Sequence, residues 1–215
     1  MKSFFKTGTK KIFASLLYRH RPIGLSAGKL YLYLDAIYQT RDVPGDVVEV
    51  GCNLCGTSVL GYQMIRKLGL ERTYQCVDTF GGFVNSQYSK DVELGNSMNK
   101  RDSFSANSID LARKVLDIHN AEDIELIRAD IVSMEEQRLP YKIAVSLLDV
   151  DLYEPILSGL EKIYPRLASG GRILVDDCGR ADGWQAGKAV RAYCEKNVID
   201  FRIEFGMAVI DKPLA

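Results

Sequence analysis

Short apolar runs alternate with longer stretches of helical spacing along most of this chain. Residues 47–50, 73–77, 124–127, 143–148 and 172–175 are brief, rich in β-branched residues, and closed by polar or glycine positions. That pattern predicts buried strands. Between them, residues 57–69, 108–118, 154–167 and 184–196 carry apolar positions at helical intervals, and 26–40 predict a helix ahead of the first strand, with Ser26 as N-cap. Pro155 falls in a first turn, where proline is tolerated, and Gly170-Gly171 is expected to stop the 154–167 helix. Residues 201–205 and 207–210 predict a closing pair of strands. Strands alternating with helices imply an α/β fold, a mostly parallel sheet with helices on both faces. Between residues 81 and 108 the periodicity is lost, which predicts a long irregular loop of the kind that forms lids or binding loops.

The length of 215 residues suits one domain, 1–215, with residues 1–40 as an N-terminal helical arm and 81–108 as a lid or acceptor loop. Lys+Arg and Asp+Glu number 28 each, so the basic surplus of a nucleic-acid binder is missing. No apolar run approaches the ~18 residues of a membrane span. The basic segment 1–22 has the composition of a surface helix that packs on its own domain, a partner subunit or, less expectedly, a membrane. Membrane contact is not expected, and a homo-oligomer is left open. Five cysteines, an odd number in a chain of this size, argue against a disulfide framework and for a reducing cytoplasm. Cys52 and Cys55 form a C-x-x-C, but no second such pair or histidine pair completes a zinc site. Two readings remain for it: a redox motif, or small residues in a tight turn.

Parallel sheets bind ligands beyond the carboxyl ends of their strands. There the predicted strands lead into Gly51, Asp78, Asp130, Asp149 and Asp176-Asp177. The first turn reads Glu49-Val50-Gly51-Cys52-Asn53-Leu54-Cys55-Gly56-Thr57-Ser58. Thr57 stands where a P-loop needs lysine. Asn53 replaces the second glycine of a dinucleotide fingerprint, which weakens a nicotinamide-reductase reading. S-adenosylmethionine (SAM) carries no phosphate and fits better: Glu49 suits its ammonium, Asp78 its ribose hydroxyls and Asp130 its adenine amino group.

The segments VEVGCNLCGTS, VDTFGGF, RADIVS, LLDVDLYEPILSGLEKIYPRLASGG and RILVDDCG resemble class I SAM-dependent methyltransferases, most closely the macrocin O-methyltransferase family. The resemblance runs from about Gly45 to the C-terminus. It implies a Rossmann-like fold with a C-terminal antiparallel strand, SAM as donor, a divalent metal (usually Mg2+), and a small-molecule acceptor, a sugar or polyol hydroxyl. It places SAM against Glu49, Gly51, Cys52, Asn53, Gly56, Ser58, Asp78, Asp130, Ile131 and Asp149, and the metal on Asp149, Asp176 and Asp177. Cys55 departs from the family's glycine, and segment 81–108 does not match closely.

Three carboxylates at adjacent strand ends suit a hard divalent ion. Asp176-Asp177 also reads as a solvated turn. Asp149 and Asp151 are the candidate catalytic residues, Asp151 as a general base or instead as the cap of the helix near Pro155. His20 and His119 are further candidate bases, each more at home on the surface. Trp184 and Tyr153 are candidates to stack on a sugar, and Phe83, Tyr88 and Phe104 to line the acceptor loop; all five have ordinary packing roles as alternatives. Two competing functions are a metal-independent methyltransferase and a SAM-binding protein without catalysis.

Overall fold

The computed structural model describes residues 9–179 and 183–214. It contains one seven-stranded sheet in the order β3-β2-β1-β4-β5-β7-β6. The strands are β1 (Asp46–Val50), β2 (Tyr74–Asp78), β3 (Glu125–Arg128), β4 (Ile143–Leu148), β5 (Leu167–Val175), β6 (Arg202–Glu204) and β7 (Met207–Asp211). The first five run parallel, while β7 runs antiparallel to both β5 and β6. This is the α/β, Rossmann-like arrangement with a reversed C-terminal strand. Val48, Val50, Ile173 and Val175 are sealed against one face, and Val47, Val145, Leu147 and Leu174 against the other. A strand buried on both sides has no solvent face, so these strands read as continuous apolar runs rather than alternations.

The helices are α1 (Ala14–Leu17), α2 (Ala27–Gln39), α3 (Gly56–Lys67), α4 (Asn85–Glu93), α5 (Ile109–Ile118), α6 (Tyr153–Ile163) and α7 (Ala186–Asn197). Ser108 caps α5 by accepting from Leu111 N, whereas Ser26 precedes α2 without a side-chain cap bond. In the N-terminal arm, Ala14 and Tyr18 pack on Leu54, Leu111 and Val115 of the same domain. Residues 1–8 of the basic segment lie outside the described residues. Among the described residues, no helix is long and apolar enough to cross a membrane.

The structure corrects three expectations. First, segment 81–108 is not irregular: it contains α4 and a short 3-10 turn, Met98–Lys100. The face that α4 buries consists of Gln87, Tyr88 and Asp91, so its contacts are mostly polar and leave no apolar period to read. Second, Gly170-Gly171 does not end the fourth predicted helix. The α-helix stops at Ile163, a 3-10 turn containing Pro165 follows, and both glycines sit inside β5. The β4–β5 register shifts between Ile143 and Val145, beside this stretch. Third, Asp151 does not cap α6. Tyr153 N, at the start of that helix, donates instead to Asp91 Oδ1 at 2.7 Å.

Asp91 therefore staples α4 to α6. It is buried, and its other oxygen accepts from Asn96 Nδ2 at 2.9 Å. Replacing Asp91 by alanine orphans both donors and is expected to cost about 2–3 kcal/mol. Urea denaturation checks this; a loss below about 0.5 kcal/mol would show that α4 is not fastened there.

Candidate active site

The carboxyl ends of β1, β2, β4 and β5 open into one cavity of about 280 Å³. Its wall includes Glu49, Gly51, Cys52, Asn53, Gly56, Asp78, Asp130 and Ile131 on one side. Asp149, Asp151, Asp176 and Asp177 line the other. The sheet order explains the meeting: β1 and β4 are adjacent central strands, and their ends diverge into separate loops. Of the residues singled out from the sequence for SAM or metal, only Ser58 is missing from the wall. It is fully buried and accepts a hydrogen bond from Cys76 Sγ at 3.4 Å.

The first turn is tight and braced. Asn53 and Cys55 both take left-handed backbone angles, φ 48° and 60°. Asn53 N donates to Asp78 Oδ2 at 2.8 Å, and Phe80 N donates to Asp78 Oδ1 at 2.7 Å. Asn107 Nδ2 donates to Asn53 O at 2.9 Å, fixing the turn from the loop before α5. Burial pushes the Asp78 carboxyl up to about 6 against these two backbone donors. Glu49 is also buried and accepts from Tyr74 Oη, which is in turn bonded to Tyr33 Oη. Burial raises the Glu49 carboxyl to about 7, outweighing the hydrogen bonds that favour its ionised form. Across the cavity, Asp130 accepts from Gln87 Nε2 at 2.8 Å and Val132 N at 2.9 Å.

The acid cluster holds a cation that sequence reading missed. Lys29 Nζ of α2 lies 2.6 Å from Asp176 Oδ1 and 2.9 Å from Asp177 Oδ1. Burial would lower its pKa, but the two carboxylates outweigh that and hold it raised and protonated. A single lysine in a helix carries no motif, so only the fold could find it. Burial first, and then the neighbouring aspartates, push Asp149 and Asp151 well above the usual carboxylate range. Asp151 and Asp177 both occupy left-handed backbone, φ 62° and 54°. Such strain persists where the surroundings over-determine it, as at ligand sites.

Phe83, Phe104 and Trp184 close the outer wall. Phe83 meets Phe104 edge-on at 5.7 Å and Trp184 at 5.5 Å, and Lys100 Nζ sits 4.0 Å over the Trp184 ring. Tyr88 is buried behind Phe83, and Tyr153 packs against the core on the α6 side. His119 ends α5 and bonds Tyr18 O at 3.0 Å, and His20 is exposed; neither lines the cavity.

The chain resembles known proteins along most of its length. It is 28% identical over 148 residues to demethyldecarbamoylnovobiocin O-methyltransferase of Streptomyces niveus, a match that covers 64% of this chain and 54% of that enzyme. It is 26% identical over 197 residues to the 8-demethyl-8-(2,3-dimethoxy-alpha-L-rhamnosyl)-tetracenomycin-C 4'-O-methyltransferase of Streptomyces olivaceus, covering 88% and 70%. The fold is shared with the O-methyltransferase NovP, at TM-score 0.74 and 23% identity over 86% of this chain and 79% of that one. It is shared also with the calicheamicin methyltransferase CalS11, at TM-score 0.69 and 20% identity over 97% and 91%. The family model for macrocin O-methyltransferase (TylF) matches residues 30–211, which takes in the whole sheet and every wall residue named above except Lys29, and the chain belongs to that family.

Proposed function

We propose that this protein transfers a methyl group from SAM to a hydroxyl of a sugar or glycosylated natural product. The observation that carries the reading is the single cavity joining the braced glycine turn to the four-aspartate cluster. Family membership supports the methyl donor and the reaction class. The names of the novobiocin and rhamnosyl-tetracenomycin enzymes support a sugar-linked acceptor.

In this reading the SAM ammonium lies near Glu49, the ribose hydroxyls donate to Asp78, and the adenine amino group donates to Asp130. Gly51, Cys52, Asn53, Gly56 and Ile131 supply the close backbone and apolar wall. Ser58 acts from behind it, through its neighbours. Asp149, Asp176 and Asp177 suit a hard divalent ion. They are oxygen donors on adjacent strand ends, and burial and mutual repulsion raise Asp149 and Asp151 well above the usual carboxylate range, a penalty that a bound cation would relieve. Bound there, Mg2+ would lower the pKa of an acceptor hydroxyl and help orient it. Asp151 accepts the hydroxyl proton as the oxygen forms its bond to the methyl carbon. The methyl–sulfur bond breaks and S-adenosylhomocysteine (SAH) leaves. Phe83, Phe104 and Trp184 provide an apolar wall for a sugar face, so segment 81–108 covers the acceptor and excludes water.

The test is transfer of labelled methyl from SAM to a panel of deoxysugar glycosides, with and without a chelator. Product with magnesium and its loss on chelation are expected. Product unaffected by chelation would favour the metal-independent reading, and no product from any glycoside would overturn the acceptor class.

The raised Glu49 carboxyl gives a pH prediction. Its folded value of about 7 exceeds the ordinary 4.5, so its contribution to stability is full below about 4.5 and is lost as pH rises through about 7. A cationic ligand favours the ionised form, so SAH affinity moves the other way. It should fall about 10-fold from pH 8 to pH 6, and Asp78 adds to the loss below 6. Glu49→Gln should flatten the profile above pH 6. A wild-type affinity constant over pH 6–8 would remove Glu49 from the ammonium site.

A further inference from the structure

Cys52, Cys55 and Cys76 come from two separate parts of the chain, the first turn and β2, and their thiols take no step in methyl transfer as described, although Cys52 also belongs to the SAM wall. Their sulfur atoms lie within 4.8 Å of one another. All three side chains are buried, Cys55 and Cys76 completely, and all are free thiols. Cys52 also lines the cavity, so the cluster has an entrance from solvent. We propose that Cys52, Cys55 and Cys76 form a binding site for a soft divalent cation of the zinc class, separate from the aspartate cluster.

The donor set selects the ion. Thiolates favour zinc-class cations over magnesium or calcium, which prefer oxygen. Zinc–sulfur bonds of about 2.3 Å in a tetrahedron place the sulfurs about 3.8 Å apart, so sulfurs within 4.8 Å of one another need to close in by at most about 1 Å. Three thiolates around a divalent ion leave one net negative charge. A monovalent ion would leave two such charges in the core, which is costlier. The turn constrains the geometry further, since Cys55 N donates to Cys52 O at 2.7 Å and keeps those two residues at one end of the loop.

The test of metal binding by these thiols uses neither SAM nor an acceptor. Reduced full-length protein is titrated with Cd2+, following thiolate-to-metal charge-transfer absorbance, with stoichiometry taken from native mass spectrometry. One ion per chain is expected. Cys52→Ala and Cys76→Ser should each weaken binding at least about 100-fold, while the Cys178→Ser/Cys194→Ser double variant should bind as the wild type does. Wild-type protein loaded with Zn2+ needs no substitution: X-ray absorption should count three sulfur neighbours at about 2.3 Å. No charge-transfer band, a band that survives in folded Cys76→Ser, or a zinc shell of nitrogen and oxygen alone would each overturn the site.

Discussion

Replacing Asp149 by asparagine is expected to cut methyl transfer at least about 100-fold and to leave SAH affinity within about threefold. The two side chains have nearly the same shape, so the change removes charge without opening a cavity. Asp149 sits among Asp151, Asp176 and Asp177, and among the described residues Lys29 is the cation that bridges that cluster. Its carboxylate is therefore held against burial and against like charges. That arrangement is wasteful for stability and useful only if a cation or an acceptor draws on it. The same reasoning gives a second readout. The asparagine variant, without ligand, should be more stable than wild type by about 1–3 kcal/mol, because the folded state holds the Asp149 carboxyl far above its unfolded value, which costs stability at neutral pH, and asparagine does not titrate. Steady-state kinetics, SAH titration and urea denaturation on one preparation separate the two effects. Unchanged turnover would remove the aspartate cluster from the chemistry; lost stability would show that the charge is well compensated.

Gly51→Ala should be the most damaging single methyl in the molecule. Gly51 has φ +91°, and a Cβ there would stand 1.9 Å from the Asp149 carbonyl oxygen. That oxygen belongs to backbone at the end of β4, so relief requires prising β1 from β4 where both strands feed the cavity. Gly51 N also donates to Val77 O at 2.8 Å, and Asp149 N donates to Val50 O at 2.8 Å, so the ladder resists the shift. Overpacking and backbone strain together are expected to cost about 3–5 kcal/mol and to abolish SAH binding. Gly69→Ala is the control. Gly69 also has positive φ, +67°, but a Cβ there would meet nothing within 4 Å, so a loss of only about 1 kcal/mol is expected. Equal losses at the two glycines would show that close packing at the strand ends is not the cause.

The strands were legible because burial on both faces writes itself as apolar runs; residues 143–148 match β4 end to end. The cavity was legible because acids at the ends of apolar strands have few structural uses. What escaped reading came from contacts between distant elements. Helix α4 shows the core a polar face, Gln87, Tyr88 and Asp91, and so looked like loop. Asp151 had the right position to cap α6, yet the cap comes from Asp91, across a helix that periodicity could not see. Gly170-Gly171 has the composition of a stop, but in β5 it lies beside a register shift instead of ending a helix. Lys29 belongs to an amphipathic helix ahead of the first strand, and nothing local points it at Asp176. Cys76 shows the same limit: the C-x-x-C looked incomplete because its third thiol is supplied by the neighbouring strand.

Every step proposed for methyl transfer requires SAM to sit in the cavity between the glycine turn and the aspartate cluster. Calorimetric titration of the purified protein with SAH, with and without magnesium, decides whether it does. Micromolar binding to one site per chain is predicted, weakened about 10- to 100-fold by Asp78→Ala, which removes the carboxylate that braces the turn and meets the ribose. Folded wild-type protein that takes up no SAH in either condition would contradict the SAM site and the reaction built on it.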